Sequence, residues 1–266
     1  MDQAGTMMES RYHDRKRYFD ELAETSRAFY PDYVRKFITL GPGTRVLEIG
    51  CGEGGNLLPF AQAGCEVTGV DLAEGKIENA RRFFQEYGAS GSFTSANIFD
   101  IPAPERMFDL VLVHDVIEHI AQEDKAGFIR LVKESLSPGG VAFLAFPAWY
   151  MPFGGHQQTC MNKVLHSLPW IHLLPLPLYR GLMKSFKEPQ GQINELLSIR
   201  SCKMTAEAFE RICEAEGCKV LDRRLWFINP HYKVKFGLKP LRLRLGLDRI
   251  PYLRDFFATS CWYVIR

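Results

Sequence analysis

The sequence predicts an α/β fold, a doubly wound and mostly parallel seven-stranded sheet with helices on both faces and an antiparallel last strand. Three observations lead to it. Short apolar runs alternate with helix-period segments five times before residue 147, a rhythm that implies a parallel sheet. The first run, Arg45-Val46-Leu47-Glu48-Ile49, passes directly into a glycine-rich turn, Gly50-Cys51-Gly52-Glu53-Gly54-Gly55. The polar loops fall at the carboxyl ends of the runs, where sheets of this kind hold their ligands.

Residues 1–40 read as an N-terminal helical cap. Tyr12, Tyr18, Phe19, Leu22, Phe29, Tyr33 and Phe37 recur among charges at roughly helical spacing, and Pro31 is expected to split the region into two helices. Tyr18 and Phe19 are expected to roof the ligand pocket. Residues 41–266 form the main domain. Its first strand is the run at 45–49, and a helix follows the glycine turn until Gly64 caps it. Residues 65–71 are the second strand, ending in Asp71. A helix over 73–87 closes at Gly88. Residues 91–96 are a weak third strand and 97–102 the loop beyond it. Residues 108–113 are a strongly apolar fourth strand, followed by a helix over 123–136. Ser137-Pro138-Gly139-Gly140 is the turn into the fifth strand, 141–147.

The rhythm then fails. Residues 148–203 are rich in proline, leucine and aromatics, too long for a plain connection, and are expected to form an inserted lid or substrate segment. Regularity returns at Thr205, a natural helix N-cap, before a sixth strand from Cys218, a basic hairpin over 231–254 and a last strand at 260–265.

Three glycines within five residues make an expensive turn unless a ligand approaches the backbone there. The spacing fits Gly50-x-Gly52-x-x-Gly55 and Gly50-x-Gly52-x-Gly54 equally, so alone it names no ligand. Asp71 stands 21 residues beyond Gly50, where a carboxylate at the end of the second strand accepts both ribose hydroxyls of an adenosine. It could also cap the following helix.

Composition narrows the classes. Net charge is +2 and 46% of residues are hydrophobic, ordinary for a globular chain. The seven cysteines are scattered and include no Cys-x-x-Cys pair. They read as reduced thiols of a cytoplasmic protein, and no metal site is expected. Cys51 reads as a small residue of the turn and not as a nucleophile. The first residues lack a signal-peptide core, and no run of about 18 apolar residues suggests a membrane span.

Taken together, Glu48-Ile49-Gly50-Cys51-Gly52-Glu53-Gly54, Asp71, Ile101-Pro102, Val116-Ile117-Glu118-His119-Ile120 and Leu136-Ser137-Pro138-Gly139-Gly140 resemble a class I S-adenosylmethionine-dependent methyltransferase. They are similar to the branch that includes ubiquinone-biosynthesis methyltransferases, as is the aromatic start around Tyr18 and Phe19. The resemblance covers residues 40–147 strongly and 204–266 by topology alone. It implies a Rossmann-like methyltransferase fold and S-adenosyl-L-methionine as cofactor. Glu48 and the turn at Gly50, Cys51, Gly52 and Gly54 would hold the methionine end. Asp71 would hold the ribose and Leu72 lie against the adenine, with Asn97 and Ile98 at the adenine edge and His114 beneath the sulfonium. Asn97 departs from the family, which usually has Asp there.

The reaction implied is methyl transfer to a small or lipid-like acceptor, at oxygen. Alignment is worth roughly 7–11 kcal/mol, and a general base adds about 10²–10⁴-fold where the acceptor must lose a proton. Gly154-Gly155-His156 lies just past the fifth strand, and His156 is the candidate catalytic base; a lid-anchoring role is the alternative. His119 reads as structural, and Asp115 and Tyr150 as weaker candidates. The apolar stretch 168–179 and the basic stretch 231–254 suit a hydrophobic, anionic or membrane-associated acceptor. Nucleic acid is not expected, because the basic stretch lacks an aromatic platform. Two other readings stay open: an NAD(P)-dependent oxidoreductase on the same glycine turn, and a cofactor-binding protein without turnover.

Overall fold

The computed structural model describes residues 14–101 and 107–266. Tyr12 and Pro102, both used in the sequence reading, lie outside the described residues. The strands are β1 (Arg45–Ile49), β2 (Glu66–Asp71), β3 (Ser92–Ser95), β4 (Phe108–His114), β5 (Leu136–Phe146), β6 (Val220–Ile228), β7 (Leu241–Arg242) and β8 (Ser260–Ile265). They form one sheet in the order β3-β2-β1-β4-β5-β8-β6-β7. The first five run parallel, and β8 enters antiparallel between β5 and β6. The sheet therefore has eight strands and not seven. The extra one is a two-residue edge strand paired with β6 at Trp226 and Ile228, too short to leave a periodic signal.

Side chains alternate across the sheet, so each strand supplies both faces. Val46, Leu110, Leu112 and Phe143 pack beneath helices α1 (Arg15–Val34) and α3 (Glu74–Glu86). Leu47, Val111, Val113 and Leu144 pack beneath α4 (Lys125–Glu134) and α8 (Ala206–Ala215). Each fully buried large apolar side chain stabilises the fold by roughly 1.5–3 kcal/mol.

Helix α1 is continuous, contrary to the split expected at Pro31. The proline sits in the last turn, where its carbonyl still accepts from Arg35 at 2.9 Å, so the missing N–H ends the helix soon after and does not divide it. Tyr30 and Tyr33 clamp α1 to the sheet, with ring centroids 5.3 and 5.6 Å from Trp262. Ser137-Pro138-Gly139-Gly140 belongs to β5, with a register shift opposite β4, and is not a separate turn.

After the glycine turn come a short 3₁₀ segment (Gly55–Leu57) and α2 (Leu58–Gln62). Between β5 and α8 lie α5 (Lys163–Ser167), α6 (Leu176–Ser185) and α7 (Gln190–Cys202). Cys160, Leu165, Ile171, Tyr179, Met183, Ile193 and Leu196 form a core of their own there. Of the apolar stretch 168–179, Ile171, His172 and Tyr179 are buried, whereas Trp170, Leu176 and Leu178 are exposed. The basic stretch contains helix α9 (His231–Phe236). Arg254 within it is buried and paired with Glu207 and Glu210, so it belongs to the core and not to a solvated basic face. Among the described residues no helix is long and apolar enough to cross a membrane.

Candidate active site

The site grows out of the turn after β1. Gly50 has φ +73°, and a Cβ there would meet Val116 Cγ2 at 2.4 Å. This glycine is needed on two counts, its dihedral and the neighbour. At Gly55 a Cβ would fall 2.5 Å from the Phe19 carbonyl, because α1 crosses the turn. Gly54 makes room for Phe93 and Phe84. The two overlapping glycine patterns thus have separate physical reasons: Gly54 seats the turn on the core, and Gly55 seats α1 on the turn.

Asp71, at the end of β2, accepts from the Gly52 N–H and the Ala73 N–H, both at 2.9 Å. It therefore braces the turn and the entry to α3 at once. A carboxylate has about four acceptor positions, so lone pairs remain for a ligand. Glu48 is buried at the end of β1. Asn56 donates to its Oε1 at 2.8 Å, and its Oε2 has no hydrogen-bond partner. Burial pushes the Glu48 carboxyl up to about 8; the Asn56 bond opposes that rise and nearby Asp71 adds to it.

Gly50, Asp71, Leu72, Asn97 and Ile98 line one cavity of about 600 Å³, with Asp115 and His119 at its other side. Five of the expected cofactor residues thus meet in one place. Cys51 lies under the turn, its sulfur where a Cβ on Gly69 would come within 2.7 Å, and burial pushes its thiol far above the ordinary value. Asn97 Oδ1 accepts from the Phe99 N–H at 3.1 Å. His114 lies outside the lining, its ring 5.8 Å from that of Tyr30. Phe19 corrects the expectation of a roof: it is fully buried and packs on Phe83 and Tyr87.

A second cavity of about 190 Å³ is lined by Tyr18, Phe153, His156, His231, Tyr232 and Lys235, among others, and shares Asp115 with the first. His156 sits in the left-handed region (φ +57°), as does Asp115 (φ +53°). Non-glycine residues held there mark strained, constrained turns. Burial, then the nearby His119, lower the His156 imidazole to about 4, so at neutral pH it is uncharged with a free lone pair. Burial lowers His119 as well. The two rings lie 5.0 Å apart. His172 is fully buried, bonded to the Trp149 carbonyl at 2.8 Å, and anchors the insertion. Tyr150 stacks on Phe256.

Residues 46–140 match the model of a methyltransferase domain. That stretch of the chain is thus similar to a methyltransferase domain. Over 103 residues it is 38% identical to a ubiquinone biosynthesis O-methyltransferase of Methylocella silvestris, covering 39% of this chain and 40% of that one. Over 150 residues it is 32% identical to an uncharacterized methyltransferase of Mycolicibacterium gilvum, covering 54% and 56%. The chain thus spans about two fifths to just over half the length of these relatives. Among solved structures, it resembles an S-adenosylmethionine-dependent methyltransferase of Clostridium acetobutylicum (TM-score 0.59, 12% identity, 96% and 98% covered). It also resembles a magnesium protoporphyrin IX methyltransferase of Synechocystis with bound SAH (TM-score 0.55, 16% identity, 98% of both chains). These two likenesses concern the fold.

The residues fit S-adenosylmethionine, the cofactor that the sequence resemblance implies. Gly50 lines the cavity with backbone that has no room for a Cβ, which would run into Val116, Glu48 Oε2 is buried and has no hydrogen-bond partner, and a 600 Å³ cavity is ample for a ligand of that size.

Sequence reasoning missed several parts of the site. Arg15 of α1 bonds Glu53 of the turn at 2.6 Å, and Ser26 donates to the Asn56 carbonyl at 2.7 Å; together they tie the cap to the glycine turn. An arginine on the first helical turn gave no pattern to find. Glu118 was read only as part of a motif, although a carboxylate beside a histidine at the end of an apolar strand was a legible signal.

Proposed function

We propose that this chain transfers a methyl group from S-adenosylmethionine to an oxygen of a small, hydrophobic or lipid-like acceptor. The observation that carries the reading is the pair of cavities that meet at Asp115, one built on the glycine turn and Asp71, the other on the insertion and α9. Bound cofactor supplies an electrophilic methyl on a sulfonium, so the protein's task is position and electrostatics. Glu48 Oε2 and the backbone at Gly50 and Gly52 would hold the methionine end. Asp71 would take the ribose hydroxyls, and Leu72, Asn97 and Ile98 would enclose the adenine. Tyr18, Phe153, Tyr232 and Phe236 give the second cavity an apolar wall, and His231 and Lys235 give it a polar one. That combination suits an amphipathic acceptor with a hydroxyl or acidic end. The neutral His156 faces it with a lone pair to offer.

Oxygen as the methylated atom draws on the O-methyltransferases among the relatives. A hydrophobic acceptor draws on the exposed apolar side chains Trp170, Leu178, Leu245 and Tyr252, which also suit transient contact with a lipid surface carrying anionic headgroups. The test is methyl-labelled S-adenosylmethionine offered with a panel of phenols, quinols, fatty acids and extracted lipids, products being read by mass spectrometry. Label in an apolar, oxygen-linked product is expected. Label confined to amines or proteins would remove the acceptor class, and tight NAD binding without S-adenosylmethionine binding would remove the reaction.

A further inference from the structure

The second cavity carries an imidazole whose proton arrangement is fixed by its neighbours. His231 opens α9 and lines that cavity. Its Nδ1 lies 2.9 Å from Thr25 Oγ1. Thr25 is buried on α1, and its hydroxyl oxygen also lies 2.9 Å from the Glu21 carbonyl, one helical turn back. A hydroxyl has a single proton, and a carbonyl oxygen can only accept. Were that proton turned to the imidazole, the hydroxyl and carbonyl oxygens would face each other with lone pairs alone. One assignment satisfies both contacts: the hydroxyl donates to Glu21, and His231 Nδ1–H donates to the hydroxyl. The lone pair of the neutral ring then sits on Nε2.

The backbone before the ring is held as well. Asn229 Oδ1 accepts from the His231 N–H at 3.0 Å, and the Asn229 carbonyl accepts from the Tyr232 N–H at 2.9 Å. Pro230, whose ring fixes φ, stands between them. A histidine anchored through one nitrogen and basic at the other is the arrangement that proton abstraction requires.

We propose that His231 is the general base of the acceptor cavity and that Thr25 positions it. The proposal rests on the methyl-transfer reading. The acceptor's hydroxyl oxygen bonds the methyl carbon while the carbon–sulfur bond breaks and its electron pair stays on sulfur. The hydroxyl proton passes to His231 Nε2, and the imidazolium later gives it to water. Nδ1 keeps its own proton throughout, so the bond to Thr25 serves both states of the ring.

The other imidazole on this cavity suits the task less. Burial brings His156 down to about 4, and a general base works best with a pKa near the working pH. The cavity measures about 190 Å³, little more than the roughly 150 Å³ that holds a benzene ring, so a hydroxyl on a ring seated there lies close to the walls. The titratable groups around His231 are Tyr18 and Glu21 of α1, Asp115 after β4, His156 of the insertion, and Tyr232 and Lys235 of its own helix. Glu21 is paired with Arg17. Asp115 favours the imidazolium that forms, and Lys235 opposes it.

The first test needs neither acceptor nor cofactor. Nitrogen NMR of the isotope-labelled full chain, with His231 assigned by its loss in His231→Gln, should show the neutral ring protonated at Nδ1. Thr25→Ser should keep that tautomer and Thr25→Val should lose it. A proton on Nε2, or a tautomer indifferent to Thr25→Val, overturns the proposal. The second test titrates p-nitrophenol into the chain saturated with S-adenosylhomocysteine, at a pH where the free phenol is mostly protonated. Phenolate absorption should rise with the unchanged chain and not with His231→Gln, and Nε2 should gain the proton in the same sample. A phenol that stays protonated on the unchanged chain, or ionises equally on the variant, overturns the base. In turnover of an acceptor from the labelled panel, His231→Gln should lower kcat about 10²–10⁴-fold and remove the acidic limb of the pH profile, with S-adenosylhomocysteine affinity within about twofold. Undiminished turnover sinks the assignment. Absence of any methylated product would strike the methyl-transfer reading, and the tautomer and phenol results would still be read on their own.

Discussion

The two walls of the active site are built on opposite plans. The cofactor wall is a set of strand ends, β1, β2 and β4, each fixed by parallel pairing to its neighbours, and its key side chains lie within a few residues of those ends. The acceptor wall comes from the insertion, α9 and the segment before β8, which reach the cavity from distant parts of the chain and meet through turns at His156 and Asn229. A wall of strand ends inherits its geometry from the sheet. A wall of insertions must create its own, and does so with a small separate core. The first wall thus takes its shape from strand pairing, and the second from contacts between segments far apart in the chain.

The largest effect is expected where the cofactor wall concentrates its bonds. Asp71 links Gly52 and Ala73 and has lone pairs left for the ribose. Asp71→Ala removes charge-assisted bonds worth about 1.5–3 kcal/mol each, so affinity for S-adenosylhomocysteine should fall about 100-fold or more by calorimetry. Affinity within threefold of the unchanged chain would remove the ribose assignment. The acceptor wall should not respond: hydrogen exchange over residues 157–202 should stay as it was.

The reciprocal change is Gly155→Ala. A Cβ there would fall 2.2 Å from His172 Cβ, and His172 is fully buried and bonded to Trp149. Overpacking of this kind costs about 1–3 kcal/mol. Hydrogen exchange in residues 157–202 should quicken and acceptor turnover fall, with cofactor affinity unchanged within about twofold. If cofactor binding falls in step, the two walls are one cooperative unit and the contrast between them fails.

That contrast also explains what could be read from the sequence. Four of the five parallel strands, β1, β2, β4 and β5, are legible because a buried parallel strand writes its burial directly as an apolar run; β3, with only Phe93 buried, is legible by its place in the alternation. Gly50 and Asp71 are legible because the fold places ligand-binding residues at fixed points after such runs, and Leu72, Asn97 and Ile98 follow from the family resemblance; the five line one cavity. Residues 148–203 carried no comparable signal. Their core forms between segments far apart in sequence, Cys160 against Met183 and Leu196, and short helices led by prolines leave weak periodicity. Phe19 was misplaced for a related reason: an aromatic on a helix face looks the same whether that face meets the core or a cavity. The Arg15–Glu53 bond spans 38 residues, and no local pattern encodes such a distance.

A third test probes burial inside the cofactor wall. The Glu48 carboxyl is raised to about 8 in the folded chain, from 4.5 when exposed. Below about pH 4.5 both states hold the proton. As pH rises toward 8 the unfolded chain ionises and the folded chain does not, so Glu48 makes the cofactor-free protein progressively less stable, by at most about 1.4 kcal/mol per pH unit. Glu48→Gln keeps the Asn56 contact and removes the titration. The melting temperature of the variant minus that of the unchanged chain should therefore grow from pH 5 to pH 8. A difference that is flat across that range would mean that Glu48 is already ionised in the fold.

The smallest effect belongs to Asn97, which stands where the family that the sequence resembles usually has Asp. Asn97 spends one lone pair of Oδ1 on the Phe99 N–H, at the start of a short 3₁₀ segment (Ile98–Asp100), and could accept from an adenine amino group with the other. Asn97→Asp keeps the shape and adds charge, and a charged acceptor roughly doubles the strength of such a bond. Cofactor affinity should rise only about two- to fivefold by calorimetry. A loss of affinity would mean that the side-chain amide donates to the adenine, placing the ring the other way round at this edge while the rest of the wall holds as described.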